Sequence, residues 1–141
     1  MVNDNLKLTG ALTIALNDKV VQEIDNLVVT AGKNYVASRM KDTTKAAMSH
    51  MAVGTGTTTA AASQTALVTE NDRNALTSQT VTGSAIAYVA TWAAGDATAA
   101  LTEAGIFNAS SSGDMLCRTV FSVVNKAAAD SMTITWTVTV S

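Results

Sequence analysis

The chain has 141 residues and a formal net charge of -2, with nine Lys and Arg against eleven Asp and Glu. That balance argues against a polyanion-binding protein, which needs a basic patch to displace counterions from phosphates. Charged residues make up only 14% of the chain and hydrophobic ones 48%, so it is a folded protein with a sizeable core and not a disordered one. A single cysteine and a single histidine exclude an internal disulfide and leave little for metal or acid–base chemistry.

Period-2 alternation dominates from the start of the chain, as expected of strands with one buried face. Leu6, Leu8, Leu12, Ile14 and Leu16 alternate, with Gly10 marking a bulge or a close approach of backbone. Asn17-Asp18 predicts a turn into a strand over Lys19–Ile24, and Asp25-Asn26 separates that from Leu27–Thr30. Met1–Asn5 lacks the basic and apolar regions of a signal peptide, so an origin in the cytoplasm is expected. Gly32–Asp42 breaks the alternation. Tyr35, Val36 and Met40 fall at helical spacing, which predicts one short helix near residues 33–42 with Thr30 as its cap.

Met48–Val53 reads as a short strand and Gly54–Ala66 (GTGTTTAAASQTA) as a long loop without apolar periodicity, of the kind that is usually functional or disordered. Ala75–Thr82 and Ala85–Trp92 flank Gly83-Ser84 as a hairpin, with Ile86, Tyr88, Ala90 and Trp92 on one face. Leu101–Asn108 and Met115–Val124 form a second pair across a polar connection. In Ser131–Val140, Met132, Ile134, Trp136, Val138 and Val140 share one face and four threonines the other. Trp136→Ala is expected to cost about 3–5 kcal/mol if that face is the core. The predicted architecture is a single mainly-β domain over 1–141, an antiparallel β-sandwich or jelly-roll-like barrel, with Trp92, Trp136, Phe107 and Phe121 in its core. Residues 1–30 either complete their own sheet or cross into a partner as an exchanged arm.

No catalytic constellation stands out. His50 has no second histidine or cysteine pair with which to bind metal, and Cys117 alternates like a buried hydrophobe. Gly54-Thr55-Gly56 is not followed by the lysine of a phosphate loop. The carboxylates, Asp4 and Asp42 among them, mostly lie beside turns. The two tryptophans, with Tyr35 and Tyr88, have the residue types for stacking on a sugar, but their alternation favours core positions. Glu103 is different, lying between Leu101 and Phe107 on an otherwise apolar face. If Asn108 opposes Met115, Glu103 opposes Val120 and Arg118 is its diagonal neighbour, which predicts a structural Glu103–Arg118 ion pair. On that reading, reversing both charges together restores what either single reversal loses.

The stretches HMAVGTGTTTAAASQTAL, LTEAGIFNASSSGDMLCRTVF and VNKAAADSMTITWTVTVS resemble small structural proteins of tailed bacteriophages, the capsid cement or decoration proteins above all. The N-terminal LTGALTIALNDKVVQEIDNLVVTAGKNYVASRM looks like the lead-in that precedes them, although proline is absent from the loop after Gly-Thr-Gly, where members commonly carry it. The resemblance implies a virion protein on the outer capsid surface that clamps neighbouring major capsid protein subunits without cofactor, metal, nucleic acid or membrane. It also implies a homo-oligomer, a trimer ahead of a dimer, with 1–30 and the 54–66 loop as gripping segments. A tail, collar or head-fibre component is the alternative, followed by a receptor- or glycan-binding module.

Overall fold

The computed structural model describes residues 6–41 and 44–141. Ten strands and one helix follow in the order β1 Leu8–Leu16, β2 Lys19–Asp25, β3 Leu27–Val28, α1 Thr30–Lys41, β4 His50–Gly54, β5 Glu70–Ala75, β6 Ser78–Thr82, β7 Ala85–Trp92, β8 Ala99–Phe107, β9 Met115–Lys126 and β10 Met132–Val140. They form two five-stranded antiparallel sheets, ordered β2-β1-β10-β7-β6 and β3-β9-β8-β4-β5. The fold is a β-sandwich, and the alternation in the sequence is the alternation of its inner faces.

The centre of the first sheet is β10, paired with β1 through Leu12↔Trp136 and with β7 through Trp136↔Tyr88. Trp136 and Trp92 are fully buried beside Leu12, Ile14, Ile134 and Met132, facing Met51, Ile106, Phe121 and Val124 of the second sheet. Indole is amphipathic, and the Trp136 Nε1–H donates to Asn26 Oδ1 at 2.9 Å. Gly10 is the close approach expected, since a Cβ there would collide with the Asn26 side chain; the register irregularity of β1 falls instead between Ile14 and Ala15. Within the described residues the N-terminal strands complete the chain's own sheets, β1 against β10 and β3 against β9. Met1–Asn5 lie outside those residues.

Turn chemistry places the hairpins. Asn17 and Asp18 adopt φ of 51° and 64°, the left-handed conformation a tight β1–β2 connection needs and which Asn and Asp tolerate. The Asn17 side chain ties this turn to the β9–β10 connection, donating to Asp130 Oδ1 at 2.9 Å and accepting from the Ser131 N–H at 3.0 Å.

Several expectations are corrected. Leu27–Thr30 yields only two strand residues, and Thr30 is the first helical residue and not its cap. The helix accordingly begins at Thr30, and Asp42, its expected end, lies outside the described residues. Tyr35 and Gly32 form its buried side, whereas Met40 is 82% exposed. Gly32 lets the helix lie on β9, because a Cβ there would run into the Leu116 carbonyl. The strand expected over Ala75–Thr82 breaks after Ala75. The Leu76 N–H still bonds the Ser49 carbonyl, next to β4 of the second sheet, while the Thr77 N–H bonds Val89 in the first, so the chain changes sheets at this step. Glu70–Ala75 is a strand without a signal in the sequence, because an edge strand this polar (ENDRNA) has no hydrophobic alternation to read.

Candidate functional site

The long connection between β4 and β5 lies over the outer face of the second sheet. Ala52 and Phe107 alternate with the inward Met51, Val53 and Ile106 and so point away from the main core. With Val29, Met115 and Leu67 they make a second, smaller apolar cluster. Phe107 is therefore buried, as expected, but beneath the β4–β5 loop and not between the sheets.

The polar centre of that covered face is Glu103 with Arg118, both side chains 0% exposed. Arg118 Nη2 lies 2.7 Å and Nε 3.1 Å from Glu103 Oε2, so one carboxylate oxygen receives two guanidinium donors. Glu103 opposes Val120 and Arg118 opposes Gly105, which makes the pair diagonal on one face. The route to that register differs from the expectation. Phe107, not Asn108, opposes Met115, with irregularities between Ile106 and Phe107 and between Leu101 and Glu103. Leu101, Ala104 and Ile106 all enter the main core, so the alternation slips after Leu101 and Glu103 does not share its face.

Glu103 does more than pair with Arg118. Its Oε1 accepts the N–H of Gly56 at 3.0 Å and of Thr69 at 2.7 Å, and its Oε2 that of Val68 at 3.0 Å. Arg118 Nη1 in turn donates to the Thr58 carbonyl at 2.9 Å and to Gln64 Oε1 at 3.0 Å. Gln64 Oε1 also accepts the Ala61 N–H, and Thr102 Oγ1 donates to the Gly56 carbonyl at 2.8 Å. One ion pair thus satisfies both ends and the middle of the loop. Gly56 and Gly54 allow this closeness, since a Cβ at either would fall 2.5–2.6 Å from Glu103 Oε1. Burial pushes the Glu103 carboxyl up, but the Thr69 N–H, the Arg118 guanidinium and the N–H groups of Val68 and Gly56 together hold it below the ordinary carboxylate range.

These contacts change the double-reversal expectation. With the two charges exchanged, three backbone N–H donors would face a guanidinium and two loop acceptors would face a carboxylate. The exchange keeps the attraction between the pair and destroys the rest.

A second clamp stands beside the first. Arg73 on β5 pairs with Glu70 at 2.7 Å, donates to the carbonyls of Ala109 and Ser112 at 3.0 and 2.9 Å, and lies 3.8 Å over the Phe107 ring. Lys45 pairs with Asp114 at 2.9 Å, and the Asp114 N–H donates to Asn108 Oδ1. The polar β8–β9 connection is thereby tied to Arg73 and Lys45, through more exposed contacts than those of the β4–β5 loop. Neither Arg73 nor Gln64 is signalled by the sequence, because Arg73 acts on the carbonyls of Ala109 and Ser112 and Gln64 on the Arg118 side chain, partners far along the chain.

His50 is half-buried on β4 with Nδ1 2.8 Å from its neighbour Ser49 Oγ. Cys117 is fully buried in the main core, where burial pushes its thiol well up. Trp92, Trp136, Tyr35 and Tyr88 all turn into the interior. Among the described residues no three His, Cys, Asp or Glu side chains come together to hold a metal, and no helix is long and apolar enough to cross a membrane. What the fold presents is a β-sandwich with pinned loops. Comparison of the chain with protein-family models, curated proteins and solved structures finds no match.

Proposed function

We propose that this chain is a bacteriophage capsid decoration protein, which binds the outer capsid surface and clamps neighbouring major capsid protein subunits by mechanical means. The observation that carries the reading is the Glu103–Arg118 network, which fixes a long, uncharged Thr- and Ala-rich loop in one conformation on the surface. A loop ordered in advance does not lose that entropy on binding. The outer face of the first sheet adds a threonine-bearing surface, with Thr13, Thr135 and Val89 in register across three strands. The resemblance of 48–141 to phage cement proteins supplies the partner. As a homo-oligomer bridging several subunits, the protein would multiply weak contacts into avidity; the reading involves no cofactor, nucleic acid or membrane.

Copy number in purified virions, by quantitative gel densitometry against the major capsid protein, tests the reading. A number comparable to the major capsid protein is expected, together with earlier bursting on heating of particles that lack this chain. A handful of copies would move the protein to the tail or collar, and absence from virions would overturn the virion reading altogether. Shortening the loop between Thr57 and Ala62 should lower capsid occupancy while leaving the sandwich folded.

A further inference from the structure

The two sheets have four edges, and three of them are blunted. β2 carries Lys19, Glu23 and Asp25 and pairs irregularly with β1. β3 is two residues long and runs into the helix. β5 carries Glu70, Asp72 and Arg73 and is irregular against β4. These are the devices by which sheet edges avoid unwanted pairing. β6 has none of them. Ser78-Gln79-Thr80-Val81-Thr82 is uncharged, without proline, regular in its pairing with β7, and exposed along its whole length. It ends its sheet, and among the described residues no strand pairs with its far side.

We infer that β6 is a self-association edge, at which two copies pair antiparallel about a two-fold axis through Thr80. The two-residue Gly83-Ser84 turn closes the hairpin on the Thr82–Ala85 pair, so Thr82, Thr80 and Ser78 direct their backbone groups to β7. By alternation Gln79 and Val81 direct their N–H and C=O outward. A two-fold through Thr80 sets Gln79 of each copy opposite Val81 of the other, so these four residues exchange hydrogen bonds and no outward group is left over. The side chains agree with this register. Val81 is 71% exposed and, with Ile86, Leu8, Tyr35 and Val138, lines an apolar groove of about 330 Å³ at the end of the sandwich. Pairing lays the aliphatic stem of Gln79 from the second copy directly across from Val81.

A second copy fits better than a charged partner strand, because an edge without charge offers no steering to another protein and no repulsion to itself. The contact is isologous and therefore closes at two, giving one ten-stranded sheet whose outer ends are the charged β2 strands. This selects the dimer over the trimer. It stands on the edge alone and holds whether or not the chain binds a capsid.

Light scattering coupled to size exclusion, with hydrogen exchange on the full chain, tests the inference. The wild type should elute at twice the 14.5 kDa chain mass. V81K, and V81P that removes an outward N–H without touching the β7 ladder, should elute at the chain mass with unchanged circular dichroism. The Gln79 and Val81 amides should be protected in the wild type and exchange freely in V81K. A monomeric or trimeric wild type, or a V81K variant that keeps its partner, would overturn the inference. So would protection of these amides that appears only on binding to capsids, which would make the occupant another protein.

Discussion

Glu103→Gln is the substitution that probes the covered face most directly. The amide keeps an oxygen for the N–H groups of Gly56 and Thr69, but places an NH2 against the Val68 N–H and against both Arg118 donors. Arg118 is then a buried cation without a counter-charge, and removing one member of a buried pair costs about 3–5 kcal/mol. That is a large fraction of the roughly 5–15 kcal/mol by which such a domain is stable. At about 3–4 °C per kcal/mol for a domain of this size, the melting temperature should fall by about 9–20 °C. In the wild type the Glu103 carboxyl lies below its ordinary value, so its contribution is complete above the unfolded pKa of about 4.3 and is lost as pH falls through the folded value. The wild-type melting temperature should therefore hold from neutrality to about pH 5 and drop below about pH 4, while the variant lacks the part of that drop which Glu103 supplies. Asp130, held down by Asn17 and the Ala127 N–H, contributes in the same direction in both proteins. Calorimetry with amide exchange at Gly56, Val68 and Thr69 is the assay. A variant that melts within about 2 °C of the wild type, with those three amides still protected, would refute the reasoning.

The double reversal, Glu103→Arg with Arg118→Glu, should stay well below the wild type in thermal unfolding, because the attraction between the pair is kept while the loop donors face a cation and the loop acceptors a carboxylate; recovery of the wild-type melting temperature would refute this. Gly32→Ala should lower stability in denaturant titration although alanine gains about 1 kcal/mol of helix propensity, since its methyl group displaces the helix from Leu116; a more stable variant would show that the helix shifts freely. Trp136→Phe keeps most of the ring but leaves Asn26 Oδ1 without its donor, and Asn26 Nδ2 already has no partner, so chemical denaturation should show a loss of about 1–3 kcal/mol. Burial raises the Tyr88 hydroxyl to about 12, with the nearby Cys117 and Tyr35 adding to the rise. The neutral phenol is favoured by the fold, so the Tyr88 contribution to stability should be constant below about pH 10 and be lost as pH rises above it, with a late tyrosinate absorbance step that disappears in Tyr88→Phe.

What the sequence made legible follows the period of its side chains. The inward faces of β7 and β10 and the turns at Asn17-Asp18 and Gly83-Ser84 are local signals, and each appears where the pattern puts it. β5 is illegible because its pairing with β4 is the whole of its strand character. The diagonal relation of Glu103 to Arg118 is readable from a hairpin count, yet that count starts from Asn108↔Met115, which does not form, and crosses the irregularity between Ile106 and Phe107 on the way. That irregularity does not disturb Glu103↔Val120 itself. What no count along the chain reveals is the loop, since the carboxylate of residue 103 meets backbone at 56, 68 and 69 only once the sheet has formed.

The burial of a charge pair at this place has a physical reason beyond the attraction between its members. A loop laid across a sheet turns some of its own N–H and C=O groups inward, where water reaches them poorly, and each left unpaired in a buried position costs about 1–3 kcal/mol. An apolar pair in place of Glu103 and Arg118 would avoid desolvating two ions, and in many proteins that exchange is neutral or favourable. Here it would strand the N–H groups of Gly56, Val68 and Thr69 and the carbonyl of Thr58. A carboxylate has lone pairs enough for three amides and a guanidinium, and a guanidinium has donors left over for the far side of the loop. The pair therefore selects one loop conformation, where an apolar pair would give only cohesion. Glu103→Met with Arg118→Met should accordingly keep the sandwich folded in circular dichroism while the Gly56, Val68 and Thr69 amides lose their protection, and on the capsid reading its occupancy should fall with them.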